Sequence, residues 1–414
     1  MSGPQPWRDH LVDTLVAAGH ICDAAVEAAF RAVPRELFLP DTPAAQAYQD
    51  EAVVTGWDSD GRPLSSSSQP SIMAAMLEQL AVQPGDRVLE VGAGTGYNAA
   101  LLAHLAGASG HVVSIDIDEQ VARQARANLD RAGQSTVEVI HADGVAGWAA
   151  GAPYDRIILT AGARDLAPAW LAQLTRTGRL VLPLSLRGMQ RSVAFIRDGK
   201  HLTSHSIVNC GFMPLRGTLA GPDGSQPLDR PGTFVMHQGS HSINPGALQA
   251  ALEQPGPKIT LDIAVTDAQI MGELGLWIVM HEPNAALLTA VGSAADAGVL
   301  PISRRLTGMT IALAVLGDRS FAALVRSESA VGKDPTTIIQ QFGPDAAEPA
   351  ARLSAQLHAW NRHGPAETPD LTIRAYPKPT TGPTAPAAAL IEQPHTTLAL
   401  DWTTGTQPLT RSAR

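Results

Sequence analysis

Residues 87–96 read RVLEVGAGTG, an apolar run that ends in three closely spaced glycines. The run predicts a buried strand, and Tyr97–Leu105 after it has the composition of a helix. Glycines at such a junction adopt positive φ angles and let the main chain approach a ligand closely. The sequence therefore predicts a strand, a ligand-binding loop and a helix, with the loop formed by Gly92, Ala93, Gly94, Thr95 and Gly96.

Short apolar runs and helical stretches alternate on both sides of this loop. Such alternation implies a parallel sheet covered by helices on both faces. An amphipathic region at residues 8–39 predicts a helical lead-in, and another helix is predicted from residue 71. The predicted strands are 87–92, 111–116, 136–143, 154–162 and 178–184, followed by an antiparallel edge hairpin at 192–199 and 201–215.

The spacing of the glycines distinguishes two kinds of ligand. A dinucleotide-binding loop has the pattern G-x-G-x-x-G. Here the pattern is G-x-G-x-G, with Glu90 two residues before the first glycine. S-adenosylmethionine has no pyrophosphate to place on a helix N-terminus, and its ammonium group favours a nearby carboxylate. We predict S-adenosylmethionine as the cofactor, with a purely structural turn as the alternative.

Acidic residues end the next two predicted strands. Asp116, followed by Ile117, is placed to accept hydrogen bonds from ribose hydroxyls. Asp118 competes for this role but equally suits the N-cap of the following helix. Asp143, followed by Gly144, is placed to accept from the adenine amino group. Because ligands bind at the carboxyl ends of parallel strands, these residues and the glycine loop predict one site.

Four consecutive serines, residues 65–68, run into Gln69-Pro70 upstream of the glycine loop. A serine-rich run alone is typical of a solvated loop. Ser68 or Ser71 also suits the N-cap of the helix predicted from residue 71. The residues by themselves leave open whether one of these hydroxyls contacts a substrate.

The chain resembles the protein-L-isoaspartate O-methyltransferases over roughly residues 8–215. The serines and the glycine loop at their mutual spacing are the distinctive part, since general methyltransferases share only the loop. The resemblance implies an α/β fold with a Rossmann-like sheet of the class I S-adenosylmethionine methyltransferases. The matching stretches are VEAAFRAVPRELFLP (26–40), AYQD (47–50), SSSSQP (65–70), VLEVGAGTGYNAALLAHL (88–105), SIDID (114–118), HADG (141–144), YDRIILTAGA (154–163) and GRLVLPL (178–184).

The resemblance also implies roles within the serine segment. Ser68 matches the active-site serine of the family and Ser66 its threonine, whereas Ser67 replaces a usually apolar residue. A carboxylate is ionised at neutral pH, so methyl transfer to it needs orientation and exclusion of water but no base. We predict that the Ser68 hydroxyl orients that carboxylate. Further substrate contacts are predicted for Ser66, Ser67, Gln69, Thr160, Ala161 and Gly162.

Two departures from the family bear on the substrate. The segment between Tyr48 and Ser68 is longer and more polar than the family loop, and the C-terminal half has no counterpart in the minimal repair enzyme. The added C-terminal half resembles that of extended bacterial homologues in peptide natural-product biosynthesis, which methylate an Asp in a ribosomally made precursor to give an aspartimide or isoaspartate. We favour this interpretation over repair of L-isoaspartyl residues in damaged proteins. A small-molecule methyltransferase and a non-catalytic binding protein are disfavoured by the serine segment and the intact acidic and glycine positions.

The predicted catalytic domain spans residues 1–215, with a lead-in and substrate loop at 1–70 and the sheet at 71–215. A Pro-, Gly- and Asp-rich linker at 216–232 precedes an α/β or α+β accessory and substrate-recognition domain at 233–414. A net charge of −9 without a basic stripe disfavours nucleic-acid partners. Cys22 and Cys210 match neither a metal spacing nor a disulfide framework. Without a visible secretory signal or membrane-spanning run, we expect a cytoplasmic protein that acts on a peptide or protein, with no metal.

Overall fold

A computed structural model describes residues 3–57, 63–220, 225–237, 243–300, 304–306, 309–326, 337–363, 371–379 and 389–402. The chain divides into two compact units. The first comprises residues 1–184, 190–220 and 373–400, and the second comprises residues 185–189, 221–372 and 401–414. Parts of the predicted segments lie outside the described residues: 58–62 of the substrate loop, 221–224 of the linker, and stretches of the C-terminal domain such as 327–336, 380–388 and 403–414.

The helices and strands of the described residues are numbered in chain order. The helices are α1 Gln5–Ala17, α2 Ala24–Ala32, α3 Ala44–Ala47, α4 Pro70–Leu80, α5 Tyr97–Ala106, α6 Glu119–Arg131, α7 Pro168–Gln173, α8 Pro245–Leu252, α9 Asp267–Met271, α10 Glu273–His281, α11 Ser293–Asp296 and α12 Ala347–His363, with 3-10 turns at Arg35–Phe38, Gly144–Ala146 and Ala149–Gly151. The strands are β1 Val53–Trp57, β2 Pro63–Ser67, β3 Arg87–Val91, β4 His111–Asp116, β5 Glu138–His141, β6 Tyr154–Leu159, β7 Leu174–Leu186, β8 Met189–Asp198, β9 His201–Asn209, β10 Ser225–Pro227, β11 Thr233–Met236, β12 Pro255–Leu261, β13 Ala285–Val291, β14 Arg304–Leu306, β15 Met309–Leu316, β16 Phe321–Arg326, β17 Thr337–Phe342, β18 Leu371–Pro377, β19 Ala389–Glu392 and β20 Thr396–Trp402.

The first unit is built on a ten-stranded sheet in the order β19-β20-β18-β9-β8-β7-β6-β3-β4-β5. Strands β7, β6, β3, β4 and β5 are parallel, as the alternation of strands and helices predicts. Strands β8 and β9 form the predicted antiparallel hairpin, but the hairpin does not lie at the predicted sheet edge, because β18 pairs with β9. The Rossmann-like fold class is therefore confirmed, and the carboxyl ends of β3, β4, β5 and β6 meet at one edge.

The N-terminal helices pack on this sheet through an apolar core. Leu15 of α1, Phe30 of α2, Leu77 of α4 and Leu101 of α5 share one buried cluster with Val88 of β3. Asp23 caps α2, since its side chain accepts from two main-chain N–H groups of the first turn. The predicted helical lead-in thus forms part of the core of the methyltransferase-like sheet.

Strands β18–β20 depart from the predicted domain boundaries. They extend the first sheet beyond β9, with Arg374 paired to Thr203, although the composition of the chain predicts residues 371–402 within the C-terminal domain. Asp165, which is 2% exposed, accepts from His395 N at 2.6 Å and from Thr396 Oγ1 at 2.5 Å. A local pattern predicts a strand but not its partner, which explains the difference.

The second unit contains an antiparallel sheet in the order β10-β11-β13-β15-β16-β17-β12, with β14 paired to β15. Helix α12 packs against β15, β16 and β17. Phe321 and Phe342 stack in its core with ring centroids 4.6 Å apart. The unit is the additional domain that the sequence predicts as α/β or α+β, and its antiparallel, strand-rich sheet matches the α+β alternative.

Among the described residues, every helix is too short or too polar to cross a membrane.

Candidate active site

The glycine loop needs glycine at each of its three positions. Gly92 has φ +105°, and a Cβ there would overlap the Thr160 hydroxyl. Gly94 has φ +52°, and a Cβ there would lie 3.2 Å from the main-chain oxygen of Ser66. Gly96 has φ +86°, and its Cβ would press on α6. The loop therefore presents bare main chain at the carboxyl end of β3.

Glu90 anchors this loop from below. It is fully buried, and the pairing of β3 with β4 places it beside Ser114. Its carboxylate accepts from Ser114 Oγ at 2.5 Å and from Asn98 Nδ2 at 2.7 Å. Burial raises its pKa to about 7, against the lowering effect of these two hydrogen bonds. Since both oxygens have protein partners, Glu90 holds α5 and β4 together, and its predicted contact with the cofactor ammonium stays a prediction.

Asp116 lies at the end of β4 and faces the glycine loop. Its carboxylate accepts from Gly94 N at 3.2 Å and from Asp118 N at 3.0 Å. Burial raises the pKa of Asp116 despite these bonds, so further hydrogen-bond donors would stabilise the charge. Asp118 instead accepts from Gln120 N and Val121 N and caps α6. The geometry favours Asp116 over Asp118 as the ribose acceptor; Ile117 between them is half-buried.

Asp143 is already engaged by residues from a distant part of the chain. Thr218 donates to it from its main-chain N at 2.8 Å and from Oγ1 at 2.9 Å. Burial raises the pKa of Asp143, but these bonds and one from Val145 N outweigh burial and hold it below its usual value. The neighbouring Gly144 is buried, and a Cβ on it would overlap Val91. The adenine contact predicted for Asp143 and Gly144 stays a prediction.

Residues 216–220 carry a contact that sequence reasoning missed. Besides the bonds from Thr218 to Asp143, Arg216 forms two ion pairs. Its Nη2 lies 3.9 Å from Asp116 Oδ1, and its Nη1 lies 3.6 Å from Asp118 Oδ2. The composition of this stretch predicts a linker, whereas the structure places it against the acidic strand ends. No local pattern signals the pairing, because Thr218 and Asp143 are 75 positions apart.

The serine segment lies against the glycine loop. Ser65 and Ser67 are buried, whereas Ser66 and Ser68 are half-buried, which follows the alternation of side chains along β2 and beyond. Ser65 accepts from Thr55 Oγ1 at 3.2 Å. The Ser67 hydroxyl is buried without a hydrogen-bond partner among the described residues. The close approach of Ser66 to Gly94 brings the predicted substrate and cofactor residues together.

The helix after the serines, α4, does not have the predicted serine as its N-cap. Gln69 occupies the N-cap position of α4, without a side-chain cap bond, so neither Ser68 nor Ser71 caps the helix. Asp50 performs this task, since its carboxylate accepts from Ser71 N at 2.8 Å and from Gln69 Nε2 at 3.1 Å. The Ser68 hydroxyl is thus free of a capping role.

The segment after β6 supplies a second wall. Thr160 donates from Oγ1 to the main-chain oxygen of Gly92 at 2.6 Å. Gly162 N donates to the main-chain oxygen of Met213, and Gly162 O accepts from Leu215 N. Ala161, between Thr160 and Gly162, is half-buried. Thr160, Ala161 and Gly162 therefore line the same edge, and their predicted substrate contacts stay predictions.

These features fit S-adenosylmethionine. The main chain of Gly92–Gly96 carries no side chain at its three glycines, and the buried Asp116 carboxylate beside it has lone pairs left for the ribose hydroxyls. Within the described residues, no three His, Cys, Asp or Glu side chains are grouped so as to hold a metal ion.

The sheet, the loop and the acidic strand ends define an S-adenosylmethionine-dependent methyltransferase of the Rossmann-like class. A family model for protein-L-isoaspartate(D-aspartate) O-methyltransferase matches residues 7–220, more than half of the 414 residues. The chain belongs to this family, and S-adenosylmethionine is its methyl donor.

Curated relatives agree with this assignment. The protein-L-isoaspartate O-methyltransferase of Methanoregula boonei is 42% identical over 220 residues, which are 52% of this chain and 97% of the relative. That of Methylorubrum extorquens is 41% identical over 209 residues, 50% of this chain and 87% of the relative. A solved protein-L-isoaspartate O-methyltransferase has the same fold at 22% identity and a TM-score of 0.50, covering 89% of this chain and 96% of its own.

Proposed function

We propose that this chain methylates the α-carboxylate of L-isoaspartyl residues in proteins. The observation that carries the proposal is the close approach of the serine segment to the glycine loop, since Ser66 O lies 3.2 Å from the position that a Cβ would take on Gly94. General methyltransferases share the glycine loop but not the upstream serine segment. Family membership and relatives at 42% and 41% identity support the same reaction.

The side chains at the site suit an acceptor that is already ionised. An acceptor carboxylate has a pKa near 4, so no base has to remove a proton. When bound, S-adenosylmethionine supplies a methyl group that passes from sulfur to a carboxylate oxygen, with no proton released. The Ser68 side chain has no hydrogen bond among the described residues, so its hydroxyl is available to the substrate. In the proposed complex it donates to one oxygen of the substrate carboxylate, so that the other oxygen lies in line with the methyl group. Asp116 and the main chain of the glycine loop hold the cofactor.

The precursor-peptide interpretation has less support. It depends on the C-terminal half, yet the fold likeness to a solved protein-L-isoaspartate O-methyltransferase covers 89% of this chain, more than residues 7–220 account for. The relatives from Methanoregula boonei and Methylorubrum extorquens are both named for isoaspartate. An unmodified Asp in a peptide therefore serves as the competing substrate in the test, and a cytoplasmic location stays a prediction.

The test offers the protein labelled S-adenosylmethionine with an isoaspartyl peptide and with its Asp twin of identical sequence. We expect base-labile label, the mark of a methyl ester, on the isoaspartyl peptide alone. Label on the Asp twin at an equal or higher rate would contradict the proposal and favour precursor maturation. Absence of label on both peptides would also contradict it.

A further inference from the structure

Arg35 is a fully buried cation beside the serine segment. Its side chain is 0% exposed. Its guanidinium donates from Nε to the main-chain oxygen of Ala47 at 2.8 Å and from Nη2 to that of Ser68 at 3.0 Å. Within the described part of the chain, no carboxylate lies within ion-pair distance of it. The guanidinium's remaining hydrogen-bond partner of another kind is the Met73 sulfur, at 3.7 Å from Nη1. A buried cation without a carboxylate partner is costly.

The surroundings of Arg35 limit this cost without removing it. The guanidinium lies 5.2 Å from the centroid of the Tyr97 ring, a cation–π contact. Burial lowers the pKa of Arg35, against weaker raising effects of Tyr97, Tyr48 and Asp50. A neutral donor would satisfy the Ala47 oxygen at less expense. The planar guanidinium has several donors, so one side chain can bind the main chain at Ala47 and at Ser68 at the same time.

The contacts of Arg35 join the two halves of the site. Tyr97 is the first residue of α5, directly after the glycine loop, and Ser68 lies directly after β2. Asp50 holds the main chain on the other side of Ser68, through Ser71 N and the Gln69 side chain. The Ser68 carbonyl is thus clamped, and only its hydroxyl is left to rotate.

We propose that Arg35 is a positioning residue that fixes the main chain of Ser68 and thereby aims its hydroxyl at the substrate carboxylate. The proposal rests on the methyl transfer proposed above. A displacement of about 1 Å at a positioned group costs on the order of 100-fold in rate. Arg35 therefore acts on turnover through Ser68 and leaves cofactor binding unchanged.

A double-mutant cycle tests this dependence. Arg35→Met and Ser68→Ala should each lower kcat, by roughly 10- to 100-fold, and leave the dissociation constant for S-adenosylhomocysteine within about twofold of wild type. The double variant should be no slower than Ser68→Ala alone, because Arg35 has no effect once the hydroxyl is gone. Multiplying effects, or a kcat at the wild-type level in Arg35→Met, would overturn the proposal.

Arg179→Met is the matched control. Arg179 lies in the same unit and also donates to a main-chain oxygen, that of Gln79, at 2.7 Å. Its replacement removes a bond of the same kind away from the serines, so kcat should change by less than about twofold. An equal loss of kcat in both variants would show that removal of any such arginine–carbonyl bond lowers kcat. That result would contradict a specific role of Arg35.

Hydrogen exchange gives a reading that does not depend on activity. In Arg35→Met, amides of residues 64–71 should exchange faster than in wild type, and unchanged exchange would contradict the proposal even if no peptide is methylated. If Arg35→Met fails to fold, Arg35→Lys keeps the cation without the fork. A folded Arg35→Lys protein with wild-type kcat and exchange would also overturn the proposal.

Discussion

The buried Glu90 side chain makes the stability of the fold depend on pH. Its pKa is about 7 in the folded chain, against an ordinary value of 4.5, because burial disfavours the charged form. Between these two values the folded state binds more protons than the unfolded state. The free energy of unfolding therefore decreases as pH rises from 4.5 to 7, and the full cost is present above 7.

Glu90→Gln should remove this pH dependence while keeping the volume of the side chain. The unfolding free energy of the variant relative to wild type should increase from pH 5 to pH 8, by on the order of 3 kcal/mol. Urea unfolding at both pH values measures the difference. Glu119→Gln is the control, since its side chain is 61% exposed on α6. A constant difference between Glu90→Gln and wild type would contradict the assignment.

At the scale of elements, the glycine loop lies directly against β2. The spacing and type of the loop glycines were predictable, because positive φ angles at a strand–helix junction select glycine. The contact of Gly94 with Ser66 was not, since no local pattern encodes the distance between β2 and the loop. Likewise, the cap of α4 comes from Asp50, which lies in a different segment of the chain.

Gly94→Ala should separate backbone strain from the effect on the serines. The positive φ costs about 1 kcal/mol in stability, and the new Cβ at 3.2 Å from Ser66 O displaces β2. We expect kcat to fall by about tenfold or more. Methyl transfer and urea unfolding are measured together.

Gly133→Ala is the control for Gly94→Ala. Gly133 has φ +72° with nothing within 4 Å of a Cβ, so it carries the strain without the contact. Its stability should fall by a similar amount while kcat is retained. Equal kcat in the two variants would show that the contact with Ser66 has no effect on turnover.

At the scale of the whole molecule, the first unit is not contained in the stretch that matches the family. The match ends at residue 220, yet β18 pairs with β9 and residues near 395 satisfy the buried Asp165. A buried carboxylate without its donors costs several kcal/mol. The first sheet of this chain therefore depends on strands encoded after the main segment of the second unit, residues 221–372.

A chain that ends at residue 220 should be less stable than a chain that ends at residue 402. Loss of β18–β20 should lower the melting temperature of the first unit by about 10 °C, from a change of roughly 3 to 5 kcal/mol. S-adenosylhomocysteine identifies that transition in calorimetry, because binding raises its temperature. Equal melting temperatures in the two chains would show that β18–β20 add nothing to the stability of the first unit.

The sequence by itself determined the parallel sheet, the antiparallel pairing of β8 with β9, the glycine loop and the family resemblance. Those features depend on periodicity and on residues that are close in the chain. Only the tertiary structure decided that Arg35 clamps Ser68, that Thr218 engages Asp143 and that β18–β20 complete the first sheet. These contacts join residues 33, 75 and more than 160 positions apart, and a choice among distant partners is made by packing and pairing in three dimensions.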